Sequence, residues 1–281
     1  MSANVHLPSG VVLPSEEDPR VAFRIPGTGP QSVGVVVIHG FTGSVYSVRD
    51  WALSFTPEHS VVVPALPGHR EPGWEALGAS TWKDWYRHVH ALVSDLAQSH
   101  TRVVVAGFSM GGALALRLAE TMPEVVDGVV LVNPALSLHN RAAPAAFVLR
   151  HAVTSTGAVG SDVAKAGVDE YAYDRTPVAG VAQLNQLMKR TSRHLGQVRA
   201  PVLVLRSRQD HVVSDSSHER IMAACSGPVE TIMLPDSYHV ATLDHDAPVV
   251  QARSRAFVDL IGQGKCPITG KPLDATRGGS A

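Results

Sequence analysis

The chain has 281 residues, 44% hydrophobic and 17% charged, with a formal net charge of -1. That is enough apolar material for a large buried core, as one α/β domain or two small ones, and the balanced charge argues against nucleic acid or an anionic membrane as partner. Residues 1–20 lack the basic and apolar regions of a signal peptide, no apolar run approaches the roughly 20 residues of a membrane span, and Cys225 and Cys266 have no C-x-x-C spacing. The sequence therefore reads as a soluble, cytoplasmic protein with free thiols, and a small neutral molecule is the partner that fits it.

In chain order, the β-branched run VGVVVIH at 33–39 is followed by VVVPAL at 61–66. Ser80-Thr81 then caps a helix over 81–98, TWKDWYRHVHALVSDLAQ. RVVVAGF at 102–108 runs through a knot of glycines into GGALALRLAE at 111–120, and GVVLVN follows at 128–133. PVLVLRS at 201–207, ETIMLP at 230–235 and a last helix within DHDAPVVQARSRAFVDLIG at 244–262 complete the pattern. Near-continuous apolar strands alternating with helices predict a doubly wound, mostly parallel sheet covered on both faces.

Roughly 70 residues separate the strand ending at Asn133 from the one starting at Pro201, too many for one crossover helix. Helix-like stretches at 140–153 and, after Thr176-Pro177, at 177–195 are joined by TSTGAVGS. They predict a helical cap over 135–198, inserted within a single domain spanning 1–281. Residues 264–281, GKCPITGKPLDATRGGSA, read as a disordered tail.

At the strand-to-helix junction, GFSMG at 107–111 places Ser109 between two glycines. A serine in a strained turn needs neighbours without Cβ so that strand and helix can approach, although a bare Gly-rich turn would explain the glycines equally well. A nucleophilic serine also needs a base and a carboxylate to orient that base, both from loops at the carboxyl ends of later strands. SRQDHVV at 207–213 offers Asp210, and DSYHV at 236–240 offers His239, in the order Ser, Asp, His along the chain. His211 and His245 are the rivals to His239, and Asp215 and Asp244 the rivals to Asp210. Asn133 occupies the other strand end that could hold an acid and carries no charge. His39 ends a buried strand and braces the loop after it rather than titrating in catalysis. His88 and His90 sit two apart on a helix and cannot face one metal, and Asp244-His245-Asp246 has no supporting cluster, so neither metal nor cofactor is expected.

Together HGFTGS (39–44), GFSMGG (107–112), SRQDHVV (207–213) and SYHVATLD (237–244) resemble the α/β-hydrolase superfamily, and within it bacterial carboxylesterases and monoacylglycerol lipases. The resemblance runs over residues 33–262 and extends to PGHR (67–70), WKDW (82–85) and YAYDRTP (171–177). One departure is that Gly68-His69-Arg70 stands where the family has Gly-His-Gly. The resemblance implies that fold, with its cap after the sixth strand, and a catalytic triad of Ser109, His239 and Asp210. It also implies an oxyanion hole from the N–H groups of Phe41 and Met110. Phe41, Met110, Leu136 and Phe147 are the expected substrate-binding side chains. The activity implied is hydrolysis of small to medium acyl esters, monoacylglycerols first, through an acyl-enzyme by a monomer or homodimer. Thioesterase or acyltransferase activity on the same triad, or ligand sensing on a retained scaffold, are the alternatives.

Overall fold

All six β-branched runs form strands in the computed structural model, which describes residues 12–15, 18, 20–70, 73–140, 145–158 and 162–273. In chain order the strands are β1 (Phe23–Ile25), β2 (Gly34–Ile38), β3 (Ser60–Val63), β4 (Val103–Phe108), β5 (Val126–Val132), β6 (Ser155–Gly157), β7 (Arg175–Pro177), β8 (Val202–Ser207) and β9 (Val229–Leu234). Seven of them make one sheet in the order β1-β3-β2-β4-β5-β8-β9. Only β1 runs antiparallel, against β3. Every other pair in the sheet is parallel. β1 was not foreseen: at three residues it is too short to give an apolar period.

Side chains alternate across the sheet, so each strand feeds two cores. Val35 and Val37 of β2 pack with Trp51, Phe55, Phe257 and Ile261, under helices α1 (Tyr46–Leu53) and α8 (Ala247–Gly262). Val36 and Ile38 face the opposite side with Leu77, Trp85, Val89, Leu114, Leu118, Leu187 and Ile221. Those residues come from α2 (Glu75–Ala79), α3 (Trp82–Ser99), α4 (Met110–Thr121), α6 (Val178–Ser192) and α7 (Ser216–Ala224). Each large side chain fully buried this way contributes about 1.5–3 kcal/mol. Thr81 caps α3 as its sequence predicts: its hydroxyl accepts the Asp84 N–H at 3.3 Å, and the Asp84 carboxylate accepts the Thr81 N–H at 2.9 Å.

The insertion between β5 and β8 differs from its sequence reading. The helix expected over 140–153 is reduced to α5 (Ala146–Leu149), with residues 141–144 outside the described ones. Only Ala146 of α5 is buried, so no apolar face holds a longer helix to the protein. β6 and β7 pair antiparallel as a small ribbon, and Pro177 closes β7 before α6 begins. Val12 pairs antiparallel with Arg24 outside β1. That isolated bridge adds no strand to the sheet, so the insertion follows β5, the fifth strand of the chain and not the sixth as expected, because only the short edge strand β1 precedes β2.

The tail also departs from expectation. Residues 264–273 fold back on the core: Cys266 and Leu273 are buried, and the Leu273 N–H bonds to the Gly264 carbonyl at 3.0 Å. Burial of these two side chains supplies what the polar, Gly-rich composition concealed; residues 274–281 lie outside the described ones. No helix among the described residues is long and apolar enough to cross a membrane.

Candidate active site

Ser109 sits at the carboxyl end of β4, the central strand, with φ 53° and ψ -115°. A non-glycine residue held there costs on the order of 1–3 kcal/mol. The two flanking glycines make the turn possible. A Cβ on Gly107 would stand 2.2 Å from the Gly111 carbonyl oxygen, and one on Gly111 would stand 2.1 Å from the Ile38 carbonyl oxygen. Strand, turn and helix thus touch backbone to backbone, and Ser109 is pushed out over the sheet edge.

His239 and Asp210 arrive from the loops after β9 and β8. The Ser109 hydroxyl donates to His239 Nε2 at 3.0 Å, and His239 Nδ1–H donates to Asp210 Oδ2 at 2.9 Å. Asp210 Oδ1 accepts the N–H groups of Val212 and Val213 at 2.9 and 2.8 Å. Burial alone would raise the Asp210 carboxyl, but the His239 imidazole and these donors outweigh it and hold the group below its ordinary range. The Phe108 ring packs on the imidazole at 5.0 Å between centroids.

The peptide between Gly40 and Phe41 is aimed by His39. Leu66 N–H donates to His39 Nε2 at 3.1 Å, so the ring proton sits on Nδ1 and donates to the Gly40 carbonyl at 2.9 Å. Because a trans peptide is planar, gripping this carbonyl turns the Phe41 N–H the opposite way. Burial, opposed by the Gly40 bond and helped by His88, lowers the His39 pKa to about 4, so the ring stays neutral and keeps this tautomer. A Cβ on Gly40 would stand 3.4 Å from the Ser109 Cβ, which places this loop directly against the serine. Among the described residues, neither the Phe41 nor the Met110 N–H has an acceptor.

A cavity of about 190 Å³ opens over Ser109 and His239, walled by Phe41, Leu138, Val181, Leu184, Val212 and Val240. Phe41 lies where the sequence places it, but three expected lining residues do not. The Met110 side chain is fully buried in the core beside Leu114, because the first turn of α4 points it away from the cavity. Leu136 and Phe147 line an adjoining surface groove between α5, α6 and α7, which meets the cavity at Leu138 and Asn140.

Glu170, which sequence reasoning missed, is the one acidic side chain among the described residues that lines this cavity. Its residue is 7% exposed, and its carboxyl has no hydrogen-bond partner among the described residues. Burial pushes its pKa up to about 7, with the His239 charge pulling down and Asp169 and Asp162 pushing up. Nothing in the local pattern around Asp169-Glu170-Tyr171 signals it, because the insertion folds it in from far along the chain.

The rival residues have other partners. His211 Nδ1 bonds to Asp162, Asp215 pairs with Arg206, and Asp244 accepts four backbone N–H groups. His245 reaches the same Asp244 through its N–H. Asn133, held at φ 44°, donates to the His239 carbonyl at 2.7 Å and so supports the backbone of the His239 loop rather than the imidazole ring. The remaining motifs brace the loop of residues 39–44. Tyr173 N–H donates to the Thr42 carbonyl and Tyr173 OH to the Gly68 carbonyl. Trp85 Nε1–H donates to the Pro67 carbonyl, and the His69 ring packs on His39 and Trp85.

Residues 35–252 match the model of the alpha/beta hydrolase family. The chain belongs to the α/β-hydrolase family. Within this family it is 36% identical over 234 residues to the thermostable monoacylglycerol lipase of Bacillus sp. (strain H-257), across 80% of this chain and 90% of that protein. It is 22% identical to a carboxylesterase of Bacillus subtilis (strain 168), across 81% and 92%. A solved structure from work on the metagenome-derived lipolytic enzymes LipS and LipT superposes with a TM-score of 0.81 at 33% identity, covering 85% of this hydrolase and 97% of that chain. The Paleococcus ferrophilus monoacylglycerol lipase shares the fold, with a TM-score of 0.71 at 18% identity over 86% and 98%.

Proposed function

We propose that this hydrolase cleaves carboxylic esters of small to medium acyl chains, monoacylglycerols in particular, through an acyl-enzyme. The observation that carries the reading is the unbroken chain from Ser109 Oγ to His239 Nε2 and from His239 Nδ1 to Asp210, at 3.0 and 2.9 Å. Ser109 Oγ attacks the ester carbonyl while its proton passes to His239, and Asp210 stabilises the imidazolium. The oxyanion develops against the N–H groups of Phe41 and Met110, each worth roughly 3 kcal/mol in comparable sites. His239 returns the proton to the leaving alcohol, then takes one from water, whose attack on the acyl-enzyme frees the acid and restores Ser109.

Two features of the cavity support the substrate class. Its volume, about 190 Å³, suits a short or medium chain, and its apolar walls stabilise each buried methylene by about 0.8 kcal/mol. Glu170 supplies the polar contact: a buried carboxyl lining the same cavity as the serine accepts alcohol hydroxyls, which favours a polyhydroxy leaving group such as glycerol. The close relation in sequence to a monoacylglycerol lipase points the same way.

The test is a rate series on p-nitrophenyl esters of increasing chain length beside glycerol monoesters. Wild type is expected to prefer the glycerol monoesters, and Ser109→Ala to turn over neither. Glu170→Gln is expected to raise KM for glycerol monoesters about tenfold, the worth of one hydrogen bond to a charged group, with little effect on p-nitrophenyl esters. Rates that peak at acetate while glycerides are ignored would overturn the substrate assignment.

A further inference from the structure

Asp162 belongs to the insertion, between β6 and β7, and to none of the recognised motifs. Its carboxylate nonetheless touches both loops that carry the base and the acid. Oδ2 accepts the backbone N–H of His239 at 3.1 Å and that of His211, the neighbour of Asp210, also at 3.1 Å. Oδ1 lies 2.8 Å from His211 Nδ1, and the Asp162 carbonyl accepts the Val240 N–H at 3.0 Å. Asp162 is itself seated by its neighbours. The Asp244 carboxylate accepts the N–H groups of Ala164 and Lys165 at 2.7 and 2.9 Å, together with that of Tyr238 at 2.9 Å.

This bridge lies where the sheet stops helping. The register of β8 and β9 ends at Ser207 and Leu234, short of Asp210 and His239. Asn133 holds the His239 carbonyl from the sheet side, and Asp162 holds the His239 N–H from the insertion. We infer that Asp162 is a positioning residue for the hydrolytic reaction, setting how the His239 and Asp210 loops meet by bridging their backbones from the insertion. The inference rests on the triad reading, and it ties the seat of the cap to the geometry of catalysis. A misplacement of about 1 Å at a reacting group slows an enzyme by on the order of 100-fold, so this hold bears on turnover and not on substrate affinity.

Asp162→Ala leaves two loop N–H groups without their acceptor, whereas Asp162→Asn keeps a carbonyl oxygen for them. Active sites are counted with a fluorophosphonate, so that rates refer to competent molecules alone. Per titrated site, Asp162→Ala is expected to lose kcat by about 10-fold to 100-fold with KM changed less than about threefold, and Asp162→Asn to recover most of the loss. A wild-type kcat in Asp162→Ala, or an equal loss in Asp162→Asn, would overturn the inference. Native-state hydrogen exchange on wild type needs no variant: the His211 and His239 amides are expected to be protected and to open together. Independent, loop-like exchange of the two would overturn the bridge. Failure of the fluorophosphonate to label wild-type Ser109 would strike the triad reading instead, leaving the exchange result to decide the bridge.

Discussion

The strand ends after β4, β8 and β9 and the insertion between β5 and β8 line the same cavity but are held in different ways. Ser109, Asp210 and His239 stand a few residues beyond parallel strands, of which β4 and β8 are almost fully buried and β9 forms the half-buried edge. Among the described residues the insertion carries a four-residue helix, a ribbon of two three-residue strands and one long helix, and it exposes Phe147, Val148 and Leu149. The hydrogen-bond chain from Ser109 through His239 to Asp210 is placed at the sheet edge, and Glu170 and Asp162 approach it from an element held by hydrogen bonds and one packed helix. Substitutions on the two sides should therefore differ in kind as well as in size.

The largest effect is expected at the sheet edge. Ser109→Ala should lower kcat by on the order of 10⁴-fold to 10⁶-fold while the fold is kept, as read by ester hydrolysis and circular dichroism. Gly111→Ala should break the same edge through stability, because its Cβ would meet the Ile38 carbonyl oxygen at 2.1 Å. A loss on the order of 3 kcal/mol in urea unfolding is expected, together with loss of fluorophosphonate labelling.

On the insertion side, Glu170→Gln gives an effect on stability of the opposite sign, and one that depends on pH. The carboxyl titrates at about 7 in the folded state against an ordinary value of 4.5. Between those values the unfolded chain releases a proton that the folded protein keeps, so this group makes stability fall as pH rises through the window. The glutamine variant is expected to exceed wild type by on the order of 3 kcal/mol at about pH 8, with the difference gone at about pH 4. Urea midpoints at the two pH values check this. Phe147→Ser, on the exposed face of α5, should change stability by less than about 0.5 kcal/mol. A larger loss would show that α5 is packed more firmly than its exposure indicates.

Much of the sheet was legible because strands buried on both faces are continuous apolar runs, here rich in β-branched valine. Ser109, Asp210 and His239 were legible for a related reason, since a strand end can be located from its run and the loop after it is short. The tail was misread because its two buried side chains, Cys266 and Leu273, are spaced among glycines, prolines and lysines. Met110 was half legible: its position gives its backbone N–H to the turn, but only the winding of α4 shows that its side chain points into the core.

By itself the sequence determined the six parallel strands, the glycine turn around Ser109 and the arrival of an aspartate and a histidine at later strand ends, because each depends on residues close in the chain. Only the tertiary structure decided that His39 aims the Phe41 peptide, that Glu170 enters the cavity, and that Asp162 joins the loops of Asp210 and His239. Those contacts span from 27 residues, between His39 and Leu66, to 77 residues, between Asp162 and His239. Hydrogen bonds over such separations leave no local period, and they form only once the sheet has brought the loops to one edge.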